Sequence, residues 1–112
     1  MDEPFSSYSE LFELLLAKPG IHVGDISIIR IKSYMDGYRH ARWDFGEKDE
    51  DDLYNGFQRF VERRFNIKTS HSWDRIITFM SSNDVDAFEM AKELWSKHKA
   101  EALPASNQNG GD

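Results

Sequence analysis

Four histidines, His22, His40, His71 and His98, are the side chains in this sequence best suited to proton transfer or metal ligation. No two of them stand four residues apart on a helix and none belongs to an HExxH pattern, so their spacing builds no metal pair. His71, between Ser70 and Ser72, reads as a capping or contact residue, and His98 falls near a helix end, where the dipole favours it. The chain has no cysteine, which excludes disulfides, thiolate ligands and cysteine nucleophiles. Gly20 and Gly24 flank a short connector without forming GxxxxGK or GxGxxG, and no serine stands in a GxSxG elbow. Carboxylates crowd into one place, Asp44–Asp52, DFGEKDEDD. General acid–base work needs two carboxylates in contrasting environments, whereas six neighbouring acids in a loop ionise together. The loop also lacks the alternating ligands and central glycine of an EF-hand. No catalytic residue, metal site or cofactor is expected.

The location of the charge is informative. The net charge is −6, and the acidic stretch alone carries −5, leaving a nearly neutral body. Such a balance suits neither phosphate nor nucleic acid, which call for Lys and Arg to displace counterions. Arg39 and Arg42, with His40 and Trp43 between them, are bracketed by Asp36 and Asp44 and read as solvated charge. Clustered acids instead complement a basic protein surface and speed its association. Trp43 and Tyr54 flank the cluster, and aromatics are the usual anchors of an interface. The candidate partner-binding set is therefore Trp43, Asp44, Glu47, Asp49, Glu50, Asp51, Asp52 and Tyr54. The competing reading gives Glu50, Asp51 and Asp52 to helix capping and packs both aromatics inside.

The elements that position these residues follow from periodicity. At 112 residues the chain is one domain, and its spacing describes an all-α bundle of five helices. Tyr8, Leu11, Phe12, Leu15 and Leu16 make one apolar stripe behind a Ser7/Glu10 capping box, stopped at Lys18-Pro19-Gly20, with Ile21–Gly24 an extended connector. A second helix runs from about Ser27 to Phe45 on Ile28, Ile31, Met35, Tyr38 and Phe45, with Gly37 suggesting a closely passing neighbour. Leu53, Phe57, Phe60, Val61 and Phe65 define a third over Asp51–Phe65. Trp73, Ile76, Ile77 and Met80 define a short fourth, also rich in strand formers. Phe88, Ala91, Leu94, Trp95 and His98 face inward from a fifth over Asp84–Ala102, capped by Asn83. Residues 1–103 form the domain and 104–112 read as a disordered tail. No apolar run reaches membrane length and the acidic start is unlike a signal peptide, so the expectation is a cytoplasmic protein with no membrane contact.

Two stretches carry a family resemblance: KPGIHVGDISIIRIKSYMDGY at Lys18–Tyr38, and Phe57–Trp95 with FVERRFN, SHSWDRIITFMS and NDVDAFEMAKELW. Their order resembles small bacterial helical proteins that read Arg-Pro-x-Met-Tyr-x-Gly, then a helix ending in Gly-Tyr, a Phe-rich helix, Ser-His-x-Trp, and a final helix with Ala-Phe. Lys18 stands where that pattern has Arg, and Ile21-His22 where it has Met-Tyr. Members resemble the immunity proteins of contact-dependent growth inhibition and other polymorphic toxin systems. The resemblance implies a non-catalytic antitoxin-like inhibitor that binds a cognate toxin domain, a basic nuclease such as an RNase, by covering its active site. It passes on no binding residues. The alternatives are a helical adaptor or regulatory protein without a toxin partner, and a metal-dependent hydrolase using His22, His40 or His71.

Overall fold

The computed structural model describes residues 7–22, 24–46 and 51–102, all of them helices and the turns between them. Six helical elements occur among the described residues: α1 (Tyr8–Ala17), α2 (Pro19–His22), α3 (Ile28–Asp44), α4 (Asp52–Phe65), α5 (Trp73–Phe79) and α6 (Asp84–Ala102). Five are the expected helices, and the fourth segment is helix rather than strand. The sixth is a correction, because Pro19–His22 coils into one turn instead of extending. Proline's missing N–H is no loss in a first turn, and its fixed φ suits one.

The caps are local side-chain chemistry. Ser7 Oγ accepts from Glu10 N at 3.1 Å, Ser27 Oγ from Arg30 N at 3.3 Å, and Asn83 Oδ1 from Asp86 N at 2.9 Å. Ser72 stands at the start of α5 but caps differently. Its hydroxyl donates to Asp74, while the Trp73 N–H donates to Gln58 Oε1 on α4 at 2.7 Å. Gln58 Nε2 in turn donates to the His71 carbonyl at 3.0 Å, so one amide fastens the loop before α5 to α4. α4 ends on Asn66 in the left-handed region, at φ 55°.

α4 packs on α1, α5 and α6, and α3 covers α1, α5 and α6. Phe12 sits at the middle of the core, its ring 4.9 Å from Trp95, 5.2 Å from Trp73 and 5.3 Å from Tyr54, all edge-on. Phe57 continues the cluster toward Phe60 and His98. His98 Nε2 donates to the Leu53 carbonyl at 2.8 Å, so this histidine ties α6 to the first turn of α4. The Trp95 indole and Lys99 both bond Glu13 Oε2, at 2.9 and 2.6 Å, locking α6 to α1.

Two core assignments fail at helix ends. Phe45 and Met80 are exposed, whereas Tyr38, Leu53 and Phe65 are partly buried against the core. Each exposed residue stands just past the end of its helix, so the 3.6-residue period no longer aims the side chain inward. Gly37 is also not explained by packing. A Cβ added there meets nothing within 4 Å. Gly37→Ala is therefore expected to raise stability by about 1 kcal/mol, since alanine restricts the unfolded chain at no steric cost. Chemical denaturation would read the gain as a higher midpoint at constant m. A loss instead would mean that α3 needs the glycine for bending.

Candidate partner-binding surface

The C-terminal half of α3 is the exposed arm of the molecule. Ile28, Ile31 and Met35 bury its first half, but no residue from Asp36 to Gly46 is buried. Two arginines hold this half down. Arg39 lies over the rings of Tyr8 and Tyr54 at 5.4 and 5.6 Å, and its Nη2 donates to Asn55 Oδ1 at 2.5 Å. Arg42 lies over Tyr8 and Tyr38 at 5.5 Å each and donates to the Tyr38 hydroxyl at 3.0 Å. Guanidinium stacking of this kind is worth about 0.5–2 kcal/mol per contact, according to its desolvation. The arginines thus position α3 against α1 and α4.

The helix then stops abruptly. The Phe45 N–H donates to the Arg42 carbonyl at 3.1 Å and the Gly46 N–H to the Trp43 carbonyl at 2.9 Å. Gly46 has φ +81°, which closes the turn at little cost only for glycine. The last turn leaves Trp43 59 % exposed and Phe45 85 % exposed. Between them in sequence, Asp44 has a side chain 69 % exposed, 3.7 Å from His40 Nε2. Two large aromatics bracketing a carboxylate are what an interface anchor needs.

The remaining candidates separate. Asp52 is exposed in the first turn of α4, on the solvent side. Glu47, Asp49 and Glu50 lie outside the described residues, as do residues 104–112 and the side chain of His22.

Asp51 is turned inward to structural work. Its Oδ1 accepts from the Tyr54 N–H at 2.9 Å, capping α4, and from the Ser9 hydroxyl at 2.8 Å. Its Oδ2 accepts from the Ser9 N–H at 2.6 Å, an orphan donor in the first turn of α1. One carboxylate therefore serves two helix N-termini, whose dipoles both favour its charge. Burial raises the Asp51 carboxyl, but these hydrogen bonds outweigh it and hold it below the ordinary aspartate value.

Tyr54 is a correction. It is 6 % exposed, with its ring against Tyr8, Phe12 and Trp95, so it cannot anchor a partner on the surface. The aromatic packing of α1 and α6 claims that position first. Phe45, which the helical period placed in the core, is exposed instead. The signal that could have found it is Gly46, since a helix ending there frees the residue before it from the buried stripe.

His40 and His71 are exposed, and among the described residues no three His, Asp or Glu side chains gather to hold a metal. No described helix is long and apolar enough to cross a membrane. Compared with known proteins, the chain matches no family model, no curated protein and no solved structure.

Proposed function

We propose that this protein is a cytoplasmic, non-catalytic immunity protein that binds a cognate toxin domain, a basic nuclease such as an RNase, and covers its active site. The observation that carries this reading is the end of α3, where Trp43 and Phe45 stand exposed around Asp44 at the edge of the acidic stretch. The acids supply the field and the aromatics supply the contact. A nuclease cleft must be positive to hold phosphates, so a carboxylate cluster draws it in at rates that fall with salt. The ordered resemblance of Lys18–Tyr38 and Phe57–Trp95 to immunity proteins supports the same reading.

Co-expression tests it. The partner is the C-terminal domain encoded by the gene immediately upstream, whose toxicity alone is first established. Growth should be rescued and a stable complex should purify. Lysine substitutions at Asp44, Glu47, Asp49, Glu50 and Asp52 should then weaken the complex and flatten its salt dependence. Asp51 is left intact, because reversing its charge would unfold the cap rather than probe the interface. A toxin that is neither bound nor neutralised would remove the immunity reading.

A further inference from the structure

A small polar pocket of about 180 Å³ opens between α3, α4 and the start of α5. Lys32, Asp36 and Arg39 line it from α3, Tyr54 from α4, and Ser72 and Trp73 from the start of α5. Its volume exceeds that of a single water several-fold, taking about 30 Å³ per molecule.

The Tyr54 hydroxyl is buried, and no described residue accepts its proton. Its direction follows from its neighbours. The ring packs on Tyr8, Phe12 and Trp95, and the residues near its hydroxyl are Asp36, Arg39 and Trp73, which line the pocket with it, and the buried Asp74. Burial, the largest cause, holds the phenol well above its ordinary range; Asp36 adds to this and Arg39 opposes it, so the group remains a neutral O–H donor. A buried donor of this kind calls for an acceptor.

The carboxylate and amide oxygens that line the pocket each already accept one hydrogen bond. Both Asp36 oxygens accept from Lys32 Nζ at 2.8 Å. Asn55 Oδ1 accepts from Arg39, and Gln58 Oε1 from the Trp73 N–H. The Ser72 hydroxyl gives its proton to Asp74. Ammonium, guanidinium and indole N–H groups are donors only, and in the lining Lys32 and Arg39 outnumber Asp36 by one charge, with buried Asp74 next to Ser72 behind it. Three packed rings hold the phenol in place in advance.

We infer that this pocket is a carboxylate-binding site, for the carboxylate of a small organic acid or of an acidic side chain on a bound protein. The inference does not depend on the toxin reading. An incoming carboxylate accepts from the Tyr54 hydroxyl beside the cations of α3, and the short stem fills the space against Trp73.

The test titrates the intact protein with acetate and propanoate in one arm and with N-acetyl-aspartate methylamide in the other. The readout is the assigned Trp73 indole resonance. A saturable shift with Kd on the order of 1–10 mM is expected, the range open to ligands of so few atoms. The arm with the tighter Kd identifies the source. Tyr54→Phe keeps the ring and should weaken binding at least tenfold while leaving the thermal midpoint unchanged or higher. Lys32→Gln should weaken it less. The inference is overturned by equal shifts with acetamide, by tighter binding of methylguanidinium, by no saturation at about 100 mM, or by wild-type affinity in Tyr54→Phe.

Discussion

Asp51→Ala is expected to lower stability by about 3 kcal/mol, an outsized effect for an acid in a charged stretch. Loss of an N-cap contributes about 1 kcal/mol. Loss of the charge-assisted bonds to Ser9 adds about 1.5–3 kcal/mol, because that N–H and hydroxyl are left between two helices. Asp52→Ala and Asp44→Ala, whose side chains face solvent, should stay within about 0.5 kcal/mol of the parent. The pH dependence has a definite sign. A carboxyl held below its unfolded value stabilises the fold in full above that value, 3.8 for Asp51, and loses the contribution as pH falls through the lower folded value. Glu13 acts in the same direction from 4.5. Burial raises its carboxyl, but hydrogen bonds from Lys99 and Trp95, with the Lys99 charge, more than reverse this. Urea titrations at neutral and acid pH should therefore converge for parent and Asp51→Asn as acid is added. An Asp51→Ala midpoint equal to that of Asp52→Ala would show that the double cap contributes nothing.

Asp51 also marks the boundary of what the sequence makes legible. Helix starts were readable because Ser7, Ser27 and Asn83 bond backbone groups three residues away, a contact that local spacing encodes. The buried faces of α1, α4 and α6 were readable because a 3.6-residue period repeats along each. The exceptions follow from the same cause. Phe45 and Met80 continue a period past the point where the helix supports it. The partner of Asp51 is Ser9, 42 residues away, and nothing in DFGEKDEDD sets this acid apart from Asp52 beside it. Gln58 is the same case. A lone amide on a polar helix face becomes the fastening of α5 only when a loop 13 residues on returns to it. Of the proposed surface, the charge and Trp43 were readable from composition. The inward turn of Asp51 and Tyr54, and the outward turn of Phe45, depend on which helices meet.

Trp43→Ala should weaken binding of the proposed toxin partner by about 30-fold or more, the scale of a buried aromatic anchor at about 2 kcal/mol. Phe45→Ala should come close to it. Neither side chain contributes to the core, so the folded protein should keep its denaturation midpoint within about 0.5 kcal/mol. That separation of affinity from stability is what a surface anchor predicts and a packing residue does not. The two residues are near neighbours, so the double variant should lose less than the product of the single effects. Kinetics divide the roles further. Removing an aromatic contact speeds dissociation, whereas reversing Asp44 and Asp52 slows association and does so most at low salt. Stopped-flow or surface-binding traces at two ionic strengths would resolve the pair. If Trp43→Ala and Phe45→Ala bound the toxin as the parent does, the end of α3 would be no anchor, and any effect of the acids would be long-range steering alone. If both variants lost binding together with their fold, the exposed arm would instead be a structural part of the bundle.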